Sequence, residues 1–281
     1  MDIVISRLDD AVGRFCLESS SPAFANALRR AMISEVPTLA IDEVRIYDNT
    51  SALFDEMLAH RIGLIPLATD SSCYVTREQC ACGGEGCPGC TVTYTMSVEG
   101  PCTIYSRDLI PADPAAAPTD PDIPIVKLTT DQKVVLEAKA ELSTGREHAK
   151  WQPTSACGFK NYPVIEVSDS CDACGQCVDE CPRDILTIEK GRVKPIHERI
   201  EECSLCRLCE RACVGTGIGD EPAIKVKADN SRFIFVVEGD GSLPVKTILT
   251  QALKYMKCHS TELLDQIGEI SGVTRDEEKE E

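Results

Sequence analysis

Two four-cysteine runs of identical spacing constrain this chain more than any other feature. Cys171, Cys174, Cys177 and Cys181 are separated by two, two and three residues, and Pro182 follows. Cys203, Cys206, Cys209 and Cys213 repeat the spacing, with Val214 where the proline would stand. Three thiolates two residues apart can wrap a turn of chain around one compact metal group, and the fourth then leaves that loop. The opening residues, MDIVISRLDD, carry acids where a signal peptide has a basic region and a long apolar core. A cytoplasmic location is therefore expected. In that reducing compartment the chain's 17 cysteines point to metal ligation and not to disulfides. The runs admit two metals. Four thiolates suit tetrahedral zinc, but zinc ribbons pair two CxxC units across a long spacer, so a continuous CxxCxxCxxxC occurring twice favours iron–sulfur.

The doubled run resembles the two-cluster ferredoxins of bacteria. That resemblance implies two 4Fe–4S clusters with exchanged fourth ligands: Cys171, Cys174, Cys177 and Cys213 for one, Cys203, Cys206, Cys209 and Cys181 for the other. The missing proline after Cys213 leaves the second run open to a labile or 3Fe–4S cluster. A segment of about 55 residues is at the low end for an unassisted core, so the clusters would serve as its folding nucleus. The neighbouring Gly215, Gly217 and Gly219 follow a cysteine ligand and not a strand, which makes them loop glycines and not a phosphate-binding fingerprint.

A third group, Cys80, Cys82, Cys87 and Cys90, lies on a Gly/Pro-rich loop (CACGGEGCPGC). Four thiolates there can close around zinc; the other reading is a loop of free thiols. Cys16, Cys73, Cys102, Cys157 and Cys258 are scattered and are expected to be buried apolar residues. A net charge of −17 argues against a surface that itself grips a phosphate backbone tightly. The acidic end, DEEKEE, reads as a solvated tail. No apolar run approaches the roughly 18 residues of a membrane span.

Local patterning gives an α+β chain. Residues 2–8 and 12–18 alternate about Asp9-Asp10 and predict a hairpin. Ser21-Pro22 predicts a helix start, with Phe24, Leu28 and Met32 on one face and an end near Glu35. A strand is expected over 38–47 and a helix over 52–62, ending at Gly63. Strands follow at 91–98, 102–107, 123–129 and 133–142, with the proline-rich stretch from Pro111 to Pro124 as a loop. After the cysteine-rich insert comes a strand over 232–238. A last helix opens at Ser242-Leu243-Pro244, with Ile248, Leu249, Ala252, Leu253 and Met256 on one face.

Outside the cysteines, three blocks are specific. They are FANALRR (24–30) with EVPTLAI (35–41), NTS (49–51) leading to DEMLAHRIGLIPL (55–67), and HAKWQP (148–153) with YPVI (162–165). Together with RFIFVVEGDGSLP they resemble the alpha-like subunit family of multisubunit RNA polymerases, in its archaeal, D-type branch, over nearly the whole chain. The 80–90 loop resembles the zinc loop of the eukaryotic members, and the intact runs resemble the insert of anaerobic archaea. The resemblance implies a discontinuous dimerisation domain from 1–50 and 226–281, a middle insert domain over 51–165, and a ferredoxin-like domain over 166–225. It implies pairing with the small subunit L through Phe24, Leu28, Met32, Leu249, Leu253 and Met256. Assembly with subunits N and P and the large catalytic subunits would follow. The complex is a nucleotidyltransferase; this chain shows no closely spaced aspartate triad for metal-assisted nucleotidyl transfer. From the cysteines alone, an electron-transfer subunit of an anaerobic oxidoreductase is the alternative, but it leaves most of the chain unexplained.

Overall fold

The computed structural model describes residues 1–70, 73–215 and 221–271. The predicted hairpin forms as β1 (Asp2–Leu8) and β2 (Val12–Glu18). Asp9 makes its turn, the Oδ1 atom accepting from the amides of Ala11 at 3.1 Å and Val12 at 2.6 Å. Helix α1 (Pro22–Ser34) starts as read, with the Ser21 hydroxyl accepting from the Phe24 amide at 3.2 Å. Strand β3 (Thr38–Asn49) follows.

Helix α2 (Asp55–Gly63) begins three residues later than the pattern predicts. Asn49 is the cause: its Nδ2 donates to Leu53 O and Asp55 Oδ1, and its Oδ1 accepts from the Ser51 amide and hydroxyl. A side chain that satisfies the backbone locally holds residues 50–54 out of the helix.

The chain then lays down β4 (Thr91–Glu99), β5 (Cys102–Tyr105), the two-residue β6 (Ile110–Pro111), β7 (Pro124–Leu128) and β8 (Lys133–Ser143). Strands β3, β8, β4 and β6 form a sheet in that order, antiparallel at each registered pair. Strand β8 alternates strictly, burying Val134, Leu136, Ala138, Ala140 and Leu142. The small Ala138 sits opposite Tyr94, which leaves room for that fully buried ring; its hydroxyl donates to Ala116 O at 2.6 Å. This face, with Leu58 and Ile62 of α2, is the larger core. Trp151 is a packing residue, its Nε1 donating to Glu141 O at 3.1 Å.

Strand β9 (Thr154–Val167) is absent from the sequence pattern. It carries Gly158 and Pro163, which break alternation, and it lies last in the sheet β1-β2-β12-β9, the position at which proline is tolerated. Strand β9, whose residues up to 165 were expected within the middle segment, pairs into the sheet of the N-terminal hairpin. The insert holds α3 (Gln176–Asp179), the hairpin β10 (Leu186–Glu189) and β11 (Arg192–Pro195), and α4 (Leu208–Gly215). Strand β12 (Ile224–Gly239) starts well before residue 232, and α5 (Val245–Ser271) closes the chain. The fold is mixed, with helices set apart from antiparallel sheets.

Contacts divide the chain into two units. One is 1–6, 14–25 and 158–235; the other is 7–13, 26–157 and 236–281. Within the first, Phe15 stacks on Phe235 at 4.9 Å, and Phe159 meets Phe233 edge-on at 5.6 Å. Its insert has a core of Ile185, Leu186, Val193, Ile224 and Val226 together with Cys177, Cys203 and Cys209. So much of that small interior is cysteine that the segment is built around its thiols. The Gly-rich stretch after Gly215 and the acidic tail lie outside the described residues.

Candidate metal centres

Both runs share one backbone device. Ala173 and Gly175 in the first, and Leu205 and Arg207 in the second, have φ of 61°, 84°, 58° and 59°. The positions correspond: the residue before the second cysteine and the one after it. Only Gly175 adopts this region without steric cost. The other three cost on the order of 1 kcal/mol each, so each loop is held in a wrap that its sequence alone disfavours. The third cysteine of each run lies on a helix, Cys177 in α3 and Cys209 in α4, and Cys213 is in α4 as well.

The wraps bring the thiols near one another. Burial pushes the Cys177 thiol up to about 11, and its charged neighbours are Cys213, Cys174 and Cys171. Cys209 is likewise pushed up to about 11 by burial, with Cys181, Cys203 and Cys177 adding to it. Cys203 is raised by burial and by Cys206 and Cys181. Clustered, buried thiolates repel one another, and a cationic group among them removes that penalty. A cavity of about 350 Å³, part of it open to solvent, has Cys181, Cys203, Cys206 and Cys209 in its wall with apolar Ile165, Leu186 and Val226. One sulfur of the runs also takes a backbone bond: the Ala223 amide donates to Cys213 Sγ at 3.2 Å. Cys174 and Cys206 are exposed, so each run has one solvent-facing member.

The loop at Cys80–Cys90 is different. Cys80 and Cys87 sulfurs lie 3.5 Å apart, Cys82 and Cys90 3.7 Å, and Cys87 and Cys90 4.0 Å. Tetrahedral zinc with Zn–S near 2.3 Å places its sulfurs about 3.8 Å apart. The donor set therefore fits that ion. Among the described residues it is the one group of three or more metal-type side chains whose donor atoms all lie within 4.8 Å of one another. No group of three or more insert cysteines among the described residues meets that distance. Amides of the loop, Gly86 first, hold the Cys82 thiol down to about 5, while burial pushes Cys90 up to about 12. Left-handed Gly84 and Gly86 permit the tight return. Arg77 ties the loop to β8, donating to Gly84 O at 3.2 Å and to Glu141 at 3.2 Å.

The six residues expected to face a partner separate. Leu28 and Met32 have no exposure in the single chain, so they belong to its own core and correct the expectation that they face outward. Phe24, Leu249, Leu253 and Met256 are half-buried. Helix α5 continues beyond them with exposed Leu263, Leu264, Ile267 and Ile270, extending the same stripe at helical spacing. Of the scattered cysteines, Cys16 is buried as expected, whereas Cys73 and Cys258 are exposed.

A family model described as the RNA polymerase Rpb3/RpoA insert domain matches residues 44–159. Another, the 4Fe-4S binding domain, matches residues 164–187 and so covers the first run. DNA-directed RNA polymerase subunit Rpo3 of Methanosarcina acetivorans is 49% identical over 271 residues, 96% of this chain and 99% of the relative. The chain belongs to the Rpo3 family. Rpo3 of Methanothermobacter thermautotrophicus is 43% identical over 92% of this chain and 95% of its own length; that of Archaeoglobus fulgidus is 40% identical over 92% and 94%. The alpha-like resemblance read from the 24–67 block is thus met at the level of the Rpo3 family. No helix among the described residues is long and apolar enough to cross a membrane. Sequence reasoning about this Rpo3-family chain missed Arg77, a lone arginine whose carboxylate partner Glu141 lies 64 residues away. Among the partner-facing residues it also left out the outer half of α5, where Leu263, Leu264 and Ile267 are exposed.

Proposed function

We propose that this chain is a non-catalytic assembly platform of DNA-directed RNA polymerase, acting in the cytoplasm. It pairs with subunit L through its terminal segments, 1–50 and 226–281, and then gathers N, P and the large catalytic subunits. The observation that carries this reading is identity of 40–49% to Rpo3 proteins over more than nine-tenths of both chains. The exposed stripe on α5 supports it by offering an unpartnered apolar face.

Within the platform, Cys171, Cys174, Cys177 and Cys213 would hold one 4Fe–4S cluster, and Cys203, Cys206, Cys209 and Cys181 the other. Cys80, Cys82, Cys87 and Cys90 would hold zinc. The thiol neighbourhoods support the exchanged fourth ligands, since Cys213 is among the groups that raise Cys177 and Cys181 among those that raise Cys203. When bound, the clusters supply cross-links that a core so rich in cysteine lacks, in a structural or redox-sensitive role. The chain's own part is to wrap, bury and partly shield them. Val214, the residue in the proline's place, follows a ligand of the first set, so any weakness it brings falls on that cluster.

Serine at Cys171, Cys174 and Cys177 tests the assignment. Anaerobic protein should hold about eight irons per chain, and the variant about half as many. Colourless parent protein carrying only zinc would overturn it. An electron-transfer subunit remains the alternative for the insert alone, and nothing in the other four-fifths of the chain favours it.

A further inference from the structure

The peptide just ahead of Cys203 is gripped from the sheet. Lys160 on β9 donates from Nζ to the carbonyl oxygens of Glu201 at 2.6 Å and Cys203 at 2.8 Å. Arg14 on β2 reaches the same peptide, its Nη2 3.5 Å from Glu201 O and its Nε 3.6 Å from the Glu201 carboxylate. The Arg14 Nε is itself buried without a hydrogen-bond partner. Two cations from two strands thus converge on residues 201–203, where the second loop begins.

The first loop is held differently. At its cysteines the bonds are local, the Cys171 amide to Ser168 O at 3.2 Å and the Cys174 amide to Asp172 Oδ1 at 3.2 Å, while Arg192 of β11 pairs with Asp169 and the Ser168 amide with Ala223 O ahead of them. The second set also has two buried members, Cys203 and Cys209, where the first has Cys177.

We propose that Lys160 is a positioning residue for the second centre, locking the Cys203 loop to β9 and making that centre the harder of the two to lose. The inference rests on the cluster assignment above. A cluster ligated by four thiolates carries net negative charge, so the ammonium beside Cys203 also favours its reduced form. Loading of the second centre and order in β9 become one equilibrium. The first centre, which draws only Cys213 from that run, depends on it less.

The test uses full-length anaerobic protein in two backgrounds. Serine at Cys171, Cys174 and Cys177 leaves the second centre, and serine at Cys203, Cys206 and Cys209 leaves the first. Lys160→Met should speed bleaching of the visible absorbance in air about tenfold in the first background, as expected for losing hydrogen bonds from a charged donor. The effect in the second should be clearly smaller. Lys160→Arg should restore the parent rate, and Lys160→Gln, a milder change that keeps one donor, should fall between. Dithionite titration followed by EPR should show the one-electron midpoint of the second centre moving negative in Lys160→Met while the first stays fixed. Equal bleaching in both backgrounds, or failure of Lys160→Arg to rescue, would overturn the role of Lys160. A parent chain without iron would remove the cluster reading and this inference together.

Discussion

Leu28 and Leu264 both lie on apolar helix faces, yet Leu28 has no exposure and Leu264 is 58% exposed. Leu28→Ala removes a side chain packed on all sides and leaves a cavity, at a cost of about 3 kcal/mol. At roughly 2–4 °C per kcal/mol the melting temperature should drop by about 6–12 °C. Leu264→Asp changes a solvated position in the free chain and should alter stability by no more than about 0.5 kcal/mol. In a complex that covers α5 the same aspartate sits unpaired against apolar surface, a cost of about 3 kcal/mol or more, which is roughly a hundredfold in affinity. The assay is co-expression with a tagged subunit L, scoring pairing by pull-down and stability by circular dichroism. Leu264→Asp should lose L with an unchanged melt, and Leu28→Ala should melt early. A parent-like melt for Leu28→Ala, or full retention of L by Leu264→Asp, would refute the division between core and partner surface.

Serine at Cys82 and Cys90 should remove one zinc per chain and leave iron unchanged, measured by elemental analysis; no zinc in the parent would make the region only a loop. Removing residues 168–222 should spare pairing with L, because the Ser168 amide bonds Ala223 O at 2.8 Å and a short turn can close the gap. The same deletion should recruit fewer large subunits in a pull-down, and equal recruitment would remove the insert from assembly. Asp229 is held down to about 2 by the Ser231 hydroxyl, the Ser231 amide and Arg232. Because its folded value is depressed, its contribution is complete above pH 4 or so and fades as pH falls towards 2. Asp229→Asn should therefore cost on the order of 1 kcal/mol at pH 7, with the gap to the parent closing below about pH 4 in urea unfolding.

What could be read from the sequence was local. Asp9 and the Ser21-Pro22 cap announce β1, β2 and α1 because turn and cap chemistry lies within a few residues of the element it sets. The cysteine runs were legible for the same reason, since ligand spacing is a local property even when the fourth ligand is exchanged. Direction was not legible. Leu28 and Met32 show a helical stripe, but a stripe is the same whether it faces the chain's own core or a partner. Strand β9 was hidden by Gly158 and Pro163, whose tolerance depends on an edge position that only the sheet order reveals. Lys160 was unreadable, a single lysine whose acceptors lie more than 40 residues away.

The central claim is that one chain is both polymerase platform and iron–sulfur protein. It is tested most directly by isolating the tagged, full-length chain anaerobically from its native cells and determining iron and bound subunits on the same sample. The account predicts a brown complex with about eight irons per copy of this chain, containing L and the large polymerase subunits. Redox-enzyme partners in place of polymerase subunits, or an intact polymerase free of iron, would contradict it.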